Sequence, residues 1–118
     1  MHIETARPTR ASRKARRTPG ERLLEALREL AQGKASVSRH SEKNWASITF
    51  AGTRHRVDML FEGDEAVEAG ECFIAFLPEH EFAIPGQLVA DAAITEVDSV
   101  LHPPQLRVRC ELLMLEES

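Results

Sequence analysis

The apolar positions of this chain follow a helical period first and a strand period afterwards. Leu23, Leu27, Leu30 and Ala31 recur at i, i+4, i+7 and i+8. Leu24 widens that stripe, and Arg22, Glu25, Arg28 and Glu29 fall on or beside the opposite side, which is the pattern of an amphipathic helix. Its start is marked by Thr18-Pro19-Gly20-Glu21: a threonine able to accept from free helix N–H groups, a proline suited to the first helical position, and a glutamate placed to close a capping box. Gly33 suits the left-handed residue that ends such a helix.

From Ala35 onward the period is two. Ala35 to Ser41 is polar and predicts an edge strand or a loop. In Trp45 to Ala51, Ala46, Ile48 and Phe50 alternate with Trp45, Ser47 and Thr49. Gly52-Thr53 reads as a turn into Arg54 to Phe61, where His55, Val57, Met59 and Phe61 share a face, so the two runs predict a hairpin. Glu62 to Glu71, with Gly63, Asp64 and Gly70, reads as an acidic loop or one helical turn capped by Asp64. Cys72 to Leu77 is apolar on both faces, and predicts a central strand stopped by Pro78. After a Pro85-Gly86 turn, Gln87 to Val97 leads out, Asp98 to Pro104 reverses, and Gln105 to Leu115 returns as a second hairpin, with Leu106, Val108, Cys110, Leu112 and Met114 on one face.

One helix followed by five or six antiparallel strands predicts an α+β fold: a single N-terminal amphipathic helix packed on a curved, mainly antiparallel sheet, or within a partly closed barrel. One helix covers one face of a sheet. Phe73, Leu77, Val89, Leu60 and Leu115 are expected to present apolar groups on the other, and a homodimer packing sheet on sheet would hide them.

Length and composition are consistent with one such domain. The chain has 118 residues, 42% hydrophobic and 29% charged, near the averages for globular proteins. Charge is unevenly distributed. Up to Arg22 there are seven cations (Arg7, Arg10, Arg13, Lys14, Arg16, Arg17, Arg22) against Glu4 and Glu21, a balance of +5; a total of −4 leaves −9 on the remainder. Residues 1–17 offer almost no apolar side chain to bury, so they read as a flexible basic arm before a single domain at 18–118. The arm cations Arg7, Arg10, Arg13, Lys14, Arg16 and Arg17 are candidates for contact with an acidic partner, nucleic acid included, although the acidic body repels polyanions and the arm has no aromatic residue for base stacking.

No apolar run is long enough to span a bilayer, and the first residues lack the apolar segment of a signal peptide, so a cytoplasmic location and no membrane contact are expected. Cys72 and Cys110 are too few and too far apart for a disulfide framework or a CxxC site.

Chemistry-bearing clusters are sparse. His55, His80 and Asp91 form the candidate polar site: His80 lies between Glu79 and Glu81, His55 shares a face with Val57 and Met59, and Asp91 sits mid-strand among small apolar residues. His40, His55, Asp58, Cys72, His102 and Cys110 follow no metal-ligand spacing, and neither metal nor cofactor is expected. No nucleophile elbow or phosphate-cradling loop occurs. The sequence therefore points to a non-enzymatic protein-interaction module forming a homodimer with its protein partner unidentified, ahead of a nucleic-acid binder using the arm, and ahead of a small-molecule binder or enzyme with a site in a concave sheet.

Overall fold

The structure, a computed structural model, describes residues 17–117; the arm residues before Arg17 lie outside them. The elements follow in the order α1 (Pro19–Leu30), β1 (Ala35–Ala46), β2 (Ala51–Glu62), α2 (Asp64–Phe76), a short 3-10 turn (Leu77–Glu79), β3 (Gln87–Leu101) and β4 (Pro104–Glu116). The strands form one open antiparallel sheet in the order β1-β2-β4-β3. The α+β class and the antiparallel sheet are as the sequence predicts. The sheet has four strands rather than five or six, and β1 and β3 are its outer strands, so it does not close into a barrel.

The local causes of α1 are those read from the sequence. Thr18 Oγ1 accepts from the Glu21 amide at 3.1 Å and Glu21 Oε1 accepts from the Thr18 amide at 2.9 Å, completing the capping box. At the other end Gln32 and Gly33 have φ of 60° and 69°, and the Gly33 amide donates to the Arg28 carbonyl at 2.9 Å, which satisfies a helix-end acceptor. Leu23, Leu27 and Ala31 are fully buried.

The segment expected as a strand at Cys72 to Leu77 is the second half of α2 and the turn after it. Ala66, Ala69, Gly70, Phe73 and Leu77 are its buried positions, and their spacing of three and four is helical. The preceding acidic stretch begins the same helix. Taken alone, a six-residue apolar run carries no period that separates a strand from a buried helix face. Gly70 lets α2 approach the sheet closely: a Cβ there would lie 2.7 Å from Leu106 Cδ2 and 2.9 Å from the Phe61 ring.

The first hairpin also turns elsewhere than predicted. β1 runs through the polar stretch to Ala46, and the reversal is at Ser47–Phe50, where the Ser47 amide donates to the Phe50 carbonyl at 2.8 Å and the Phe50 amide to Ser47 Oγ at 3.1 Å. Ile48 and Phe50 therefore lie in the reversal and are exposed. Gly52 is inside β2, not in the turn; a Cβ on it would fall 2.0 Å from the Met114 carbonyl oxygen on β4, so glycine here serves close strand approach.

Both helices cover the same sheet face. That face carries Val57, Met59 and Phe61 from β2 and Leu106, Val108, Cys110, Leu112 and Met114 from β4, packed with Leu23, Leu27, Phe73, Leu77 and Ile84. Phe61 and Phe73 meet at 6.0 Å between ring centroids, near the upper end of the range for aromatic pairs. Phe73, Leu77 and Val89, expected on the uncovered face, belong to or pack against this core. Leu60 and Leu115 do lie on the other face, given their register with Arg107 and with Gly52 and Leu88. No helix among the described residues is long and apolar enough to cross a membrane.

Candidate functional site

Two places in the fold gather polar chemistry: the outer margin of the covered face, and the whole of the open face.

On the covered face, strand alternation brings His40 and Glu42 of β1 to the same side. The register sets Glu42 directly opposite His55 of β2, and His40 opposite the neighbouring Val57. His40 Nε2 and His55 Nδ1 are 2.9 Å apart, in rings whose planes differ by 12° with centroids 5.2 Å apart. The two imidazoles therefore meet edge to edge through one shared proton. His40 Nε2 lies 3.9 Å from Glu42 Oε2, and one ligand atom from each of the three residues falls within 4.8 Å of the others. His55 is 1% exposed and its Nε2 has no hydrogen-bond partner. Burial pushes the His55 pKa below its ordinary value; Glu42 opposes this and His40 adds to it. Burial thus favours its neutral form. The first turn of α1 closes over the group: a Cβ on Gly20 would stand 2.6 Å from Glu42 Oε2 and 3.4 Å from His40 Cε1.

The open face is a ladder of charged cross-strand rows with an apolar end. One row runs Arg39, Asp58, Arg109, Glu96 from β1 to β3; the next rows toward the first hairpin are Ser41, Arg56, Glu111, Ala93 and then Lys43, Arg54, Leu113, Asp91. Residues paired in register share a face. Arg109 grips Asp58 with both ends of its guanidinium, at 2.8 and 3.3 Å, and reaches Glu96 at 2.9 Å. Arg56 meets Glu111 at 3.2 Å. The hydrogen bond from Arg109, opposed in part by burial and helped by its charge, holds the Asp58 carboxyl below the usual range. At the hairpin end the row is Trp45, Gly52, Leu115, Leu88, and Phe50, Leu88 and Leu115 line one depression.

The predicted polar site does not assemble. His55 pairs with His40. Asp91 projects from the open face, opposite Leu113, while His55 faces the helices. His80 packs edge-on against Phe82, centroids 4.6 Å apart, in the exposed stretch after the 3-10 turn. Of the arm cations, Arg7, Arg10, Arg13, Lys14 and Arg16 lie outside the described residues; Arg17 pairs with Glu25 on α1. Sequence reasoning missed Glu42 altogether. The signal is His40-x-Glu42, two residues on one face of a strand that continues beyond the expected Ser41 to Ala46.

No protein-family model matches the sequence, and none of the curated proteins matches it. Among solved structures, a chain of the "virion of native gene transfer agent (GTA) particle" is similar with a TM-score of 0.49 and 12% identity, over 78% of this chain and 84% of that one.

Proposed function

We propose that this chain is a non-enzymatic interaction module that pairs with a second copy of itself through the open face of its sheet. The observation that carries the reading is the order of residues along each cross-strand row. β1 contributes Arg39 and Lys43 to the open face, and β3 contributes Glu96 and Asp91 in the same rows.

A two-fold axis lying between two stacked open faces, parallel to the strands and midway between β2 and β4, sets β1 against the partner's β3 and β2 against the partner's β4. Each row then meets itself reversed. Arg39 faces Glu96 of the partner subunit, Asp58 faces Arg109 of the partner subunit, Arg56 faces Glu111 of the partner subunit, and Lys43 faces Asp91 of the partner subunit. At the apolar end Trp45 faces Leu88 of the partner subunit. Such self-complementarity is what a closed two-fold interface requires, and it disposes of the apolar end at the same time. The helices and the His40–His55 pair lie on the far side of the sheet and stay free.

Sedimentation equilibrium at micromolar concentration tests the reading. A reversible dimer is expected, weakening as salt rises because much of the face is charged. Leu88→Lys, at a position half exposed in the single chain, is expected to shift the equilibrium toward monomer without loss of thermal stability. A strict monomer, or a dimer indifferent to Leu88→Lys and to salt, would overturn it.

A further inference from the structure

We infer that His40, Glu42 and His55 form a binding site for one borderline divalent transition-metal ion of the zinc type. The inference is independent of self-association, since these residues lie on the helix-covered face of the sheet.

Two imidazole nitrogens and one carboxylate oxygen are the donor set that such ions favour over calcium or magnesium. Two nitrogens bound to one ion at about 2.1 Å stand about 3.0–3.4 Å apart for angles near 90–110°. His40 Nε2 and His55 Nδ1 are already at 2.9 Å, and Glu42 Oε2 is 3.9 Å from the former. The ion takes the place of the shared proton, which moves to the other nitrogen of the ring that held it, and both facing lone pairs are then used. His40 accommodates the change by pivoting, because it stands on the outer strand with 17% of its side chain exposed. His55 is fixed from below by the core and is 1% exposed, so the site is anchored on its buried side. Glu42, half exposed, forms the solvent side and leaves further coordination positions for water. The absence of a side chain at Gly20 leaves room for the Glu42 carboxylate, since a Cβ there would fall 2.6 Å from Glu42 Oε2.

The test is isothermal titration of the chelator-treated full-length protein with zinc chloride, with cobalt chloride absorption as a second readout. One ion per chain is expected to bind, and cobalt to give a visible spectrum displaced by zinc. His40→Ala and Glu42→Gln, both away from the packed core, are each expected to weaken binding by at least about tenfold, whereas His80→Ala and His102→Ala leave it unchanged. Gly20→Ala discriminates further: it favours the helix by intrinsic propensity and crowds the Glu42 carboxylate and the His40 ring edge, so it is expected to weaken zinc binding while thermal stability is kept. No binding at about 0.1 mM zinc, an affinity too weak to matter for a protein site, or binding that survives both His40→Ala and Glu42→Gln, would overturn the inference.

Discussion

Replacing Gly70 by alanine sets two effects of opposite sign against each other. In a helix interior alanine is favoured over glycine by about 1 kcal/mol, so propensity alone makes the substitution stabilising. Packing opposes it. The new methyl would stand 2.7 Å from Leu106 Cδ2 and 2.9 and 3.0 Å from two atoms of the Phe61 ring. Neither neighbour has room to retreat, since Leu106 is 3% exposed and Phe61 fully buried. Overpacking of a close-packed site costs typically about 1–3 kcal/mol, and contact with two immobile groups places Gly70 in the upper half of that range. The net expectation is destabilisation by about 1–2 kcal/mol, a fall in Tm of about 5–10 °C for a domain of this size. Guanidinium unfolding monitored at Trp45 and by far-ultraviolet circular dichroism measures both the loss and any change in slope. If Gly70→Ala instead stabilises by about 1 kcal/mol, the close approach of α2 to the sheet is wrong.

Two further outcomes follow from the charged and thiol groups. Asp58 has its folded-state pKa lowered by Arg109, so its contribution to stability is full above the ordinary carboxyl pKa and is lost as pH falls through the folded value; Arg109→Gln is therefore expected to flatten the decline of stability between about pH 5 and 3, and an unchanged acid limb in unfolding titrations refutes this. Burial pushes the Cys110 thiol up to about 12, so at pH 8 it is expected to resist a thiol reagent until the protein unfolds; rapid labelling of Cys110 in the folded chain of a Cys72→Ser variant contradicts its place in the core.

The sequence made α1 legible down to its caps because capping is a local matter: Thr18, Glu21 and Gly33 need only their own neighbours. The second hairpin was legible in outline, because β4 is central and its residues alternate between the covered and open faces from Leu106 to Leu112; its reversal is tighter than the expected Asp98 to Pro104, since β3 runs on to Leu101. What failed were segments whose residues answer to distant partners. Gly52 resembles a turn residue until the β4 backbone is known to pass within contact distance. Cys72 to Leu77 has a helical meaning only when joined to Ala66 and Ala69. β1 is polar because it is an outer strand, where little burial is demanded and charges discourage stray pairing. The same polarity hid the His40–Glu42–His55 group, since its members come together through a register that alternation alone does not determine. Asp91 and His80 drew notice for their neighbours in sequence, and the fold sets them apart from His55.

Self-pairing through the open face is tested most directly by a charge exchange at Lys43 and Asp91. Both are exposed and on opposite outer strands, so neither substitution disturbs the core. In the proposed two-fold arrangement Lys43→Glu alone, or Asp91→Lys alone, sets like charges together twice, and is expected to weaken the dimer about tenfold from pairs worth up to about 1 kcal/mol each. The double variant restores opposite charges at both places. Sedimentation equilibrium of the four proteins is expected to show tight, weak, weak and tight association; single variants that associate like the wild type, or a double variant no tighter than either single, would contradict the account.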